Sequence, residues 1–155
     1  MRKSAAMLAA AGAVVLGVIV PTGSANASTA CDNAWRVLPA GSMAAYKDAN
    51  CGGGLLGQTP GDDSNWGNSQ GAFQGSDTNA ASSVLNHGTT DTSYTAVQFF
   101  NGTGTYTGGS SCLKRSEVYA DNLTDDYFSS GYGINDEISS HRWVPESSCG
   151  GYFMS

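Results

Sequence analysis

An all-β domain, made of two Greek-key motifs packed as a sandwich and stapled by disulfides, is the fold this sequence predicts. Three observations carry it. The apolar residues fall in short bursts, Met43 to Tyr46, Leu55-Leu56, Val84-Leu85, Ala96 to Phe100, Val118-Tyr119 and Arg142 to Val144, separated by runs of Gly, Ser, Thr, Asn and Asp. No window keeps an apolar helical period for three turns, so helix should be minor and short strands the rule. A hexapeptide pattern occurs twice, as Thr78-Asn79-Ala80-Ala81-Ser82-Ser83 and, 57 residues later, as Asn135-Asp136-Glu137-Ile138-Ser139-Ser140. Each copy is preceded, at nearly the same distance, by an aromatic that opens a turn-rich segment, Tyr46 and Phe100, which marks an internal duplication. Finally, the four cysteines are an even number and widely spaced.

Residues 1–27 read as a secretory signal: Arg2 and Lys3, an apolar run from Ala5 to Val20, then Pro21 and the small-residue site Ala25-Asn26-Ala27. The run is shorter than the ~20 residues needed to span a bilayer. Residues 28–155 are expected to form a single domain. In it each repeat reads as four strands, one at the opening aromatic, one after the Gly-rich turn, a loosely defined third, and one entered through the Ser-Ser pair. The first Greek key would occupy about residues 45–86 and the second about 96–145, joined by the polar stretch His87 to Thr95. Neither could bury its apolar face alone, so the two should pack together.

Removal of Arg2 and Lys3 would leave five basic residues against thirteen acidic ones. That excess argues against nucleic acid and anionic membrane as partners. Cys31, Cys51, Cys112 and Cys149 all lie in the exported part, where an even count reads as two disulfides. Zinc would want close pairs, and no two cysteines are nearer than twenty residues. Of three connectivities, Cys31 with Cys51 and Cys112 with Cys149 is preferred, because each pair ties an early strand of one repeat to a chain end.

An aromatic-led turn followed by a D/N-x-x-S-S motif, repeated once, resembles the microbial βγ-crystallin domains, so the sandwich is expected to be βγ-crystallin-like. With the export signal and cysteines it is similar to the secreted bacterial branch that includes the actinobacterial metalloproteinase inhibitors and killer-toxin-like proteins. The likeness spans about Met43 to Val144. Three departures stand out: Cys51 where the first copy wants an aromatic, one extra residue between Phe100 and Tyr106, and Thr78 in place of an amide or acid. In calcium-binding members the paired motifs act as clamps. The resemblance therefore implies calcium as the cofactor, with Asn135, Asp136 and Ser139 offered by the second loop and Asn79 and Ser82 by the first. Calcium takes six to eight oxygens, and these side chains supply them, though with few carboxylates. The competing reading is that the Asx and Ser side chains only bond the backbone of their own turns.

Catalysis has little support. His87 and His141 belong to no G-x-S-x-G or H-E-x-x-H constellation, and His141 reads as a half-exposed strand residue. The pairs Asp62-Asp63 and Asp125-Asp126 would point to opposite faces of a strand and read as solvated loop acids. A non-enzymatic, secreted, monomeric protein is expected. The resemblance makes it a metalloproteinase inhibitor with an extracellular protease as partner; the alternative is a calcium-binding structural or stress protein. Cys112-Leu113-Lys114 is the candidate inhibitory segment, with Leu113 an apolar anchor on a disulfide-fixed strand. Against it stands the reading in which Leu113 packs into the core.

Overall fold

A computed structural model describes residues 28–155; the predicted signal segment lies outside the described residues. After a short helix α1 (Thr29–Val37) the chain forms seven strands, β1 (Ser42–Asp48), β2 (Gly52–Thr59), β3 (Ser83–His87), β4 (Ala96–Phe100), β5 (Ser110–Leu113), β6 (Tyr119–Ala120) and β7 (Ser140–Val144). They make two antiparallel sheets, ordered β2-β1-β3-β6 and β5-β4-β7. Three single turns of 3-10 helix, Gly75–Asp77, Leu123–Asp125 and Glu146–Cys149, complete the regular structure. The fold is all-β with two sheets and two disulfides, as the sequence predicts.

The two keys exchange their third strands. β6 follows β4 and β5 in the chain, yet it pairs with β3 in the first sheet, through Val84 with Ala120 and Leu85 with Tyr119. In return Asp63, between β2 and β3, bridges His141 of β7 at the edge of the second sheet. That bridge stays one residue long because the Asp63 carboxylate accepts from Asn65 N at 3.0 Å, turning the chain away. The internal duplication appears in the register, where Tyr46 faces Ser83 across β1 and β3 while Phe100 faces Ser140 across β4 and β7.

Side-chain alternation assigns the faces. Met43, Ala45, Val84, Val97, Phe99 and Leu113 point between the sheets, where they meet Trp66, Phe73, Phe128, Ile134 and Ile138 in one buried core. Their neighbours point outward but are buried too, because each outer face is covered by an end of the described chain. On the first sheet Ala44 and Leu85 lie under α1, against Ala34, Trp35 and Leu38. On the second, Ala96, Cys112 and Val144 lie under the segment that carries Cys149. Faces covered on both sides turn strict alternation into near-continuous apolar runs such as Ala96 to Phe100, all five of whose residues are buried.

The disulfides fix these covers, Cys31 with Cys51 at a Cα separation of 5.1 Å and Cys112 with Cys149 at 5.9 Å, and no cysteine among the described residues is free. α1 had no place in the strand reading. Its start is set by Ser28, whose hydroxyl accepts from Cys31 N, and its end by Leu38, whose N–H returns to Ala34 O. Nine residues are too few to show a clear helical period. Among the described residues no helix is long and apolar enough to cross a membrane.

Candidate functional site

The two hexapeptides meet as a clasp where strands β3 and β7 begin. Asn79 and Asp136 occupy equivalent places, both with left-handed backbone (φ 54° and 58°), a conformation that Asn and Asp tolerate far better than branched residues do. Each binds the other loop twice. Asn79 N donates to Ile138 O and Asp136 N to Ala81 O, both at 2.9 Å. Ser139 Oγ donates to Asn79 Oδ1 at 2.7 Å, and Ser82 Oγ to Asp136 Oδ1 at 3.2 Å. Asn79, Ser82, Asn135, Asp136 and Ser139 are therefore brought together in one place, Asn79 and Ser82 matching Asp136 and Ser139 in their contacts.

The second serine of each pair does something else. Ser83 Oγ donates to Asp48 O at 2.8 Å and Ser140 Oγ to Gly102 O at 2.6 Å, so each ties the turn after its own key's first strand. The backbone completes the tie, with Ser82 N bonded to Tyr46 O and Ser139 N to Phe100 O. The Ser-Ser pair thus splits its work, one hydroxyl across the molecule and one within the key. Sequence reasoning had only the doubled serine to go on, which is common to both roles.

The loops differ at their first position. Thr78 Oγ1 hydrogen-bonds Ser139 Oγ at 3.3 Å, extending a closed chain through Ser139 to Asn79. In the other loop Asn135 Nδ2 donates to Asp136 Oδ2 at 3.0 Å, while Asn135 Oδ1 is buried with no donor. A buried amide oxygen without a partner is uncommon and costs about 1–3 kcal/mol. With the Asp136 carboxylate on the next residue, Asn135 makes the second loop a fit for a hard cation, the Ser82 hydroxyl adding a third side-chain oxygen. The first hexapeptide has Thr78 and Asn79 where the second has Asn135 and Asp136, so it offers no carboxylate and fits less well. No group of three or more His, Cys, Asp or Glu side chains able to hold a metal occurs among the described residues, so an ion here would rest on amide, hydroxyl and carbonyl oxygens as well.

Several other expectations are corrected. Cys112, Leu113 and Lys114 sit on or just after β5, and Leu113 is fully buried. The reason is parity: Cys112 faces outward to its disulfide, so Leu113 faces the core and cannot anchor a partner. Lys114 Nζ lies 3.9 Å from the centroid of the Phe153 ring. His141 is fully buried, not half-exposed, enclosed by Trp66, Phe73 and Phe99. Of the acid pairs, Asp62 and Asp125 are exposed while Asp63 and Asp126 are buried. Burial, with the charge of Asp125 behind it, pushes the Asp126 carboxyl up to about 6.

No family model and no curated protein matches the chain. Among solved structures it is similar to one from work on the evolution of the eye-lens βγ-crystallin domain fold, with 21% identity, a TM-score of 0.49, and coverage of 69% of this chain and 89% of that one. It is also similar to a βγ-crystallin from Ciona intestinalis, at 20% identity and a TM-score of 0.45 over 66% of this chain and 99% of the other.

Proposed function

We propose that this chain is a secreted structural protein whose two Greek keys are locked by calcium at the clasp, with the second loop the stronger site. The observation that supports this is Asn135, whose Oδ1 is buried without a donor while its Nδ2 contacts the Asp136 carboxylate. An ion held there would supply positive charge to those oxygens, and because the clasp joins both keys it would stabilise the sandwich as a whole. Two disulfides and an acidic composition suit the oxidising, calcium-rich exterior. A thermal melt with calcium and with chelator tests it. Binding to the folded state alone at a hundred times Kd adds about 2.7 kcal/mol, so a melting temperature that millimolar calcium leaves unmoved would refute the reading.

Inhibition of an extracellular metalloproteinase is the second reading, moved from Leu113 to the loop from Asp126 to Ile134. There Tyr127 and Tyr132 are 60% and 67% exposed, on a loop closed by the Tyr127–Gly133 bridge and anchored by buried Phe128. A rigid, aromatic-bearing loop loses little entropy on entering a cleft. An assay against a thermolysin-like enzyme decides it: inhibition that Tyr132→Ala weakens at least tenfold supports this loop, and no inhibition by the native protein rejects the reading.

A further inference from the structure

At the pole of the sandwich opposite the clasp, where β1 begins and β3 ends, a cleft of about 470 Å³ opens between the β2 exit, the β3–β4 connection and β7. That volume lies within the ~300–1,000 Å³ typical of small-ligand sites. Its walls carry two aromatic side chains, Trp143 and Tyr94, one carboxylate, Asp62, and the hydroxyl residues Thr89 and Thr92, with glycines between them. We propose that this cleft binds a neutral pyranose sugar of an oligosaccharide.

The lining disfavours anions and lipid chains. It contains no Lys, Arg or His, the guanidinium of Arg115 is turned to the Gly88 carbonyl behind it, and a phosphate or carboxylate ligand would face Asp62. Pro60 is its only aliphatic residue, so a lipid chain would find little to pack against. Two rings and one carboxylate would also draw an ammonium ion, which is the occupant that the choline titration separates from a sugar. What remains is flat apolar area beside hydrogen-bonding groups, which matches a sugar ring with its C–H face and its equatorial hydroxyls.

The platform is held in place. Trp143 is half-buried and packs against the core, and Gly88 lies so close that an added Cβ would come within 3.0 Å of Trp143 Cζ3. Trp143 Nε1 is itself buried, so the ring offers the cleft its carbon face and not its N–H. The Asp62 carboxylate accepts from Trp143 N at 2.8 Å, which sets the acid beside the ring and leaves its second oxygen for a ligand hydroxyl. Tyr94, 57% exposed, has no such support and would close on the other face.

The test is calorimetric titration of the disulfide-intact protein with chitohexaose and cellohexaose as sugar probes and choline chloride as the cation probe, in chelator so that the clasp plays no part. Tyr94→Ala removes an exposed ring and should keep the native circular dichroism spectrum and melting temperature. Asp62→Asn keeps an acceptor for Trp143 N. Saturable binding of either sugar, weakened at least tenfold by Tyr94→Ala and severalfold by Asp62→Asn, is expected. Absence of binding by both sugars, sugar binding that Tyr94→Ala leaves intact, or binding of choline alone would each overturn the proposal.

Discussion

Trp66 Nε1 donates a 2.9 Å hydrogen bond to Nδ1 of His141, which fixes the state of a fully buried imidazole. An indole nitrogen only donates, so Nδ1 must be bare, and Nε2, 3.0 Å from Gly61 O, must carry the proton. Burial holds His141 at about 4, against an ordinary 6.5, with the Gly61 bond and the Asp62 charge opposing in part. The unfolded chain therefore takes up more protons between pH 4 and 6.5. Stability from this group is complete above 6.5 and is lost as pH falls towards 4, by up to about 1.4 kcal/mol per pH unit.

Asp126 acts with the opposite sign. Its carboxyl rises from 3.8 to about 6, so the folded state holds the extra proton and stability falls as pH rises through that window. The two groups should largely offset one another between pH 4 and 6. Asp126→Asn removes the offset. The variant is expected to gain stability above pH 6 and to lose it more steeply on acidification than the native protein, as read by urea melts across pH 4 to 8; parallel profiles would refute the pairing.

Leu113→Ala should cost about 2–5 kcal/mol, the range for a buried leucine, with no compensation from a partner. Leu113→Asp should leave the chain unfolded, since it would put a carboxylate into the core. A melting temperature within two or three degrees of native for the alanine variant would restore Leu113 as a surface residue.

The clasp should show coupling between its loops. Asn79→Ala and Ser139→Ala are each expected to destabilise by about 1 kcal/mol, and the double variant by less than the sum, because one hydrogen bond is lost in all three. Asp136→Ala should abolish any calcium-induced rise in melting temperature, whereas Thr78→Ala should leave most of it. Strict additivity in the first cycle would mean that the loops touch without cooperating.

Removal of Cys112–Cys149, which spans 37 residues, is expected to cost about 4 kcal/mol on the chain-entropy scale, and removal of Cys31–Cys51, which spans 20, about 3. Denaturant melts of the paired serine variants measure both. Equal midpoints for the variants would show that loop length is not what sets the loss.

The sandwich was legible because Tyr46 and Phe100, and the two Ser-Ser pairs, recur in step, and because cysteine count and spacing left few pairings. The five clasp residues were legible for the same reason. Leu113 and His141 were not, since strand patterns show which residues share a face but not whether that face is covered. Covering depends on chain ends far off in sequence, the helix at Thr29–Val37 and the segment around Cys149. The cleft was invisible too: Asp62, Tyr94 and Trp143 come from three segments, and only the packed fold makes them neighbours.

The exchange of third strands makes half of this protein an incomplete object. A cut between His87 and Ala96 would leave a first fragment whose sheet lacks β6 and a second whose sheet lacks the Asp63 bridge. Each fragment keeps what the other needs, so the pieces should fold only when mixed, as one cooperative transition. Because β6 must find β3 across the whole β4–β5 hairpin, and Asp63 must find His141 across most of the chain, refolding waits on late, distant pairings and should be slow for a domain of this size. An ancestor with a single repeat would have met the same deficit. It could have closed its sheets only by trading strands with a twin, which makes a homodimer the simplest starting point for the duplicated chain.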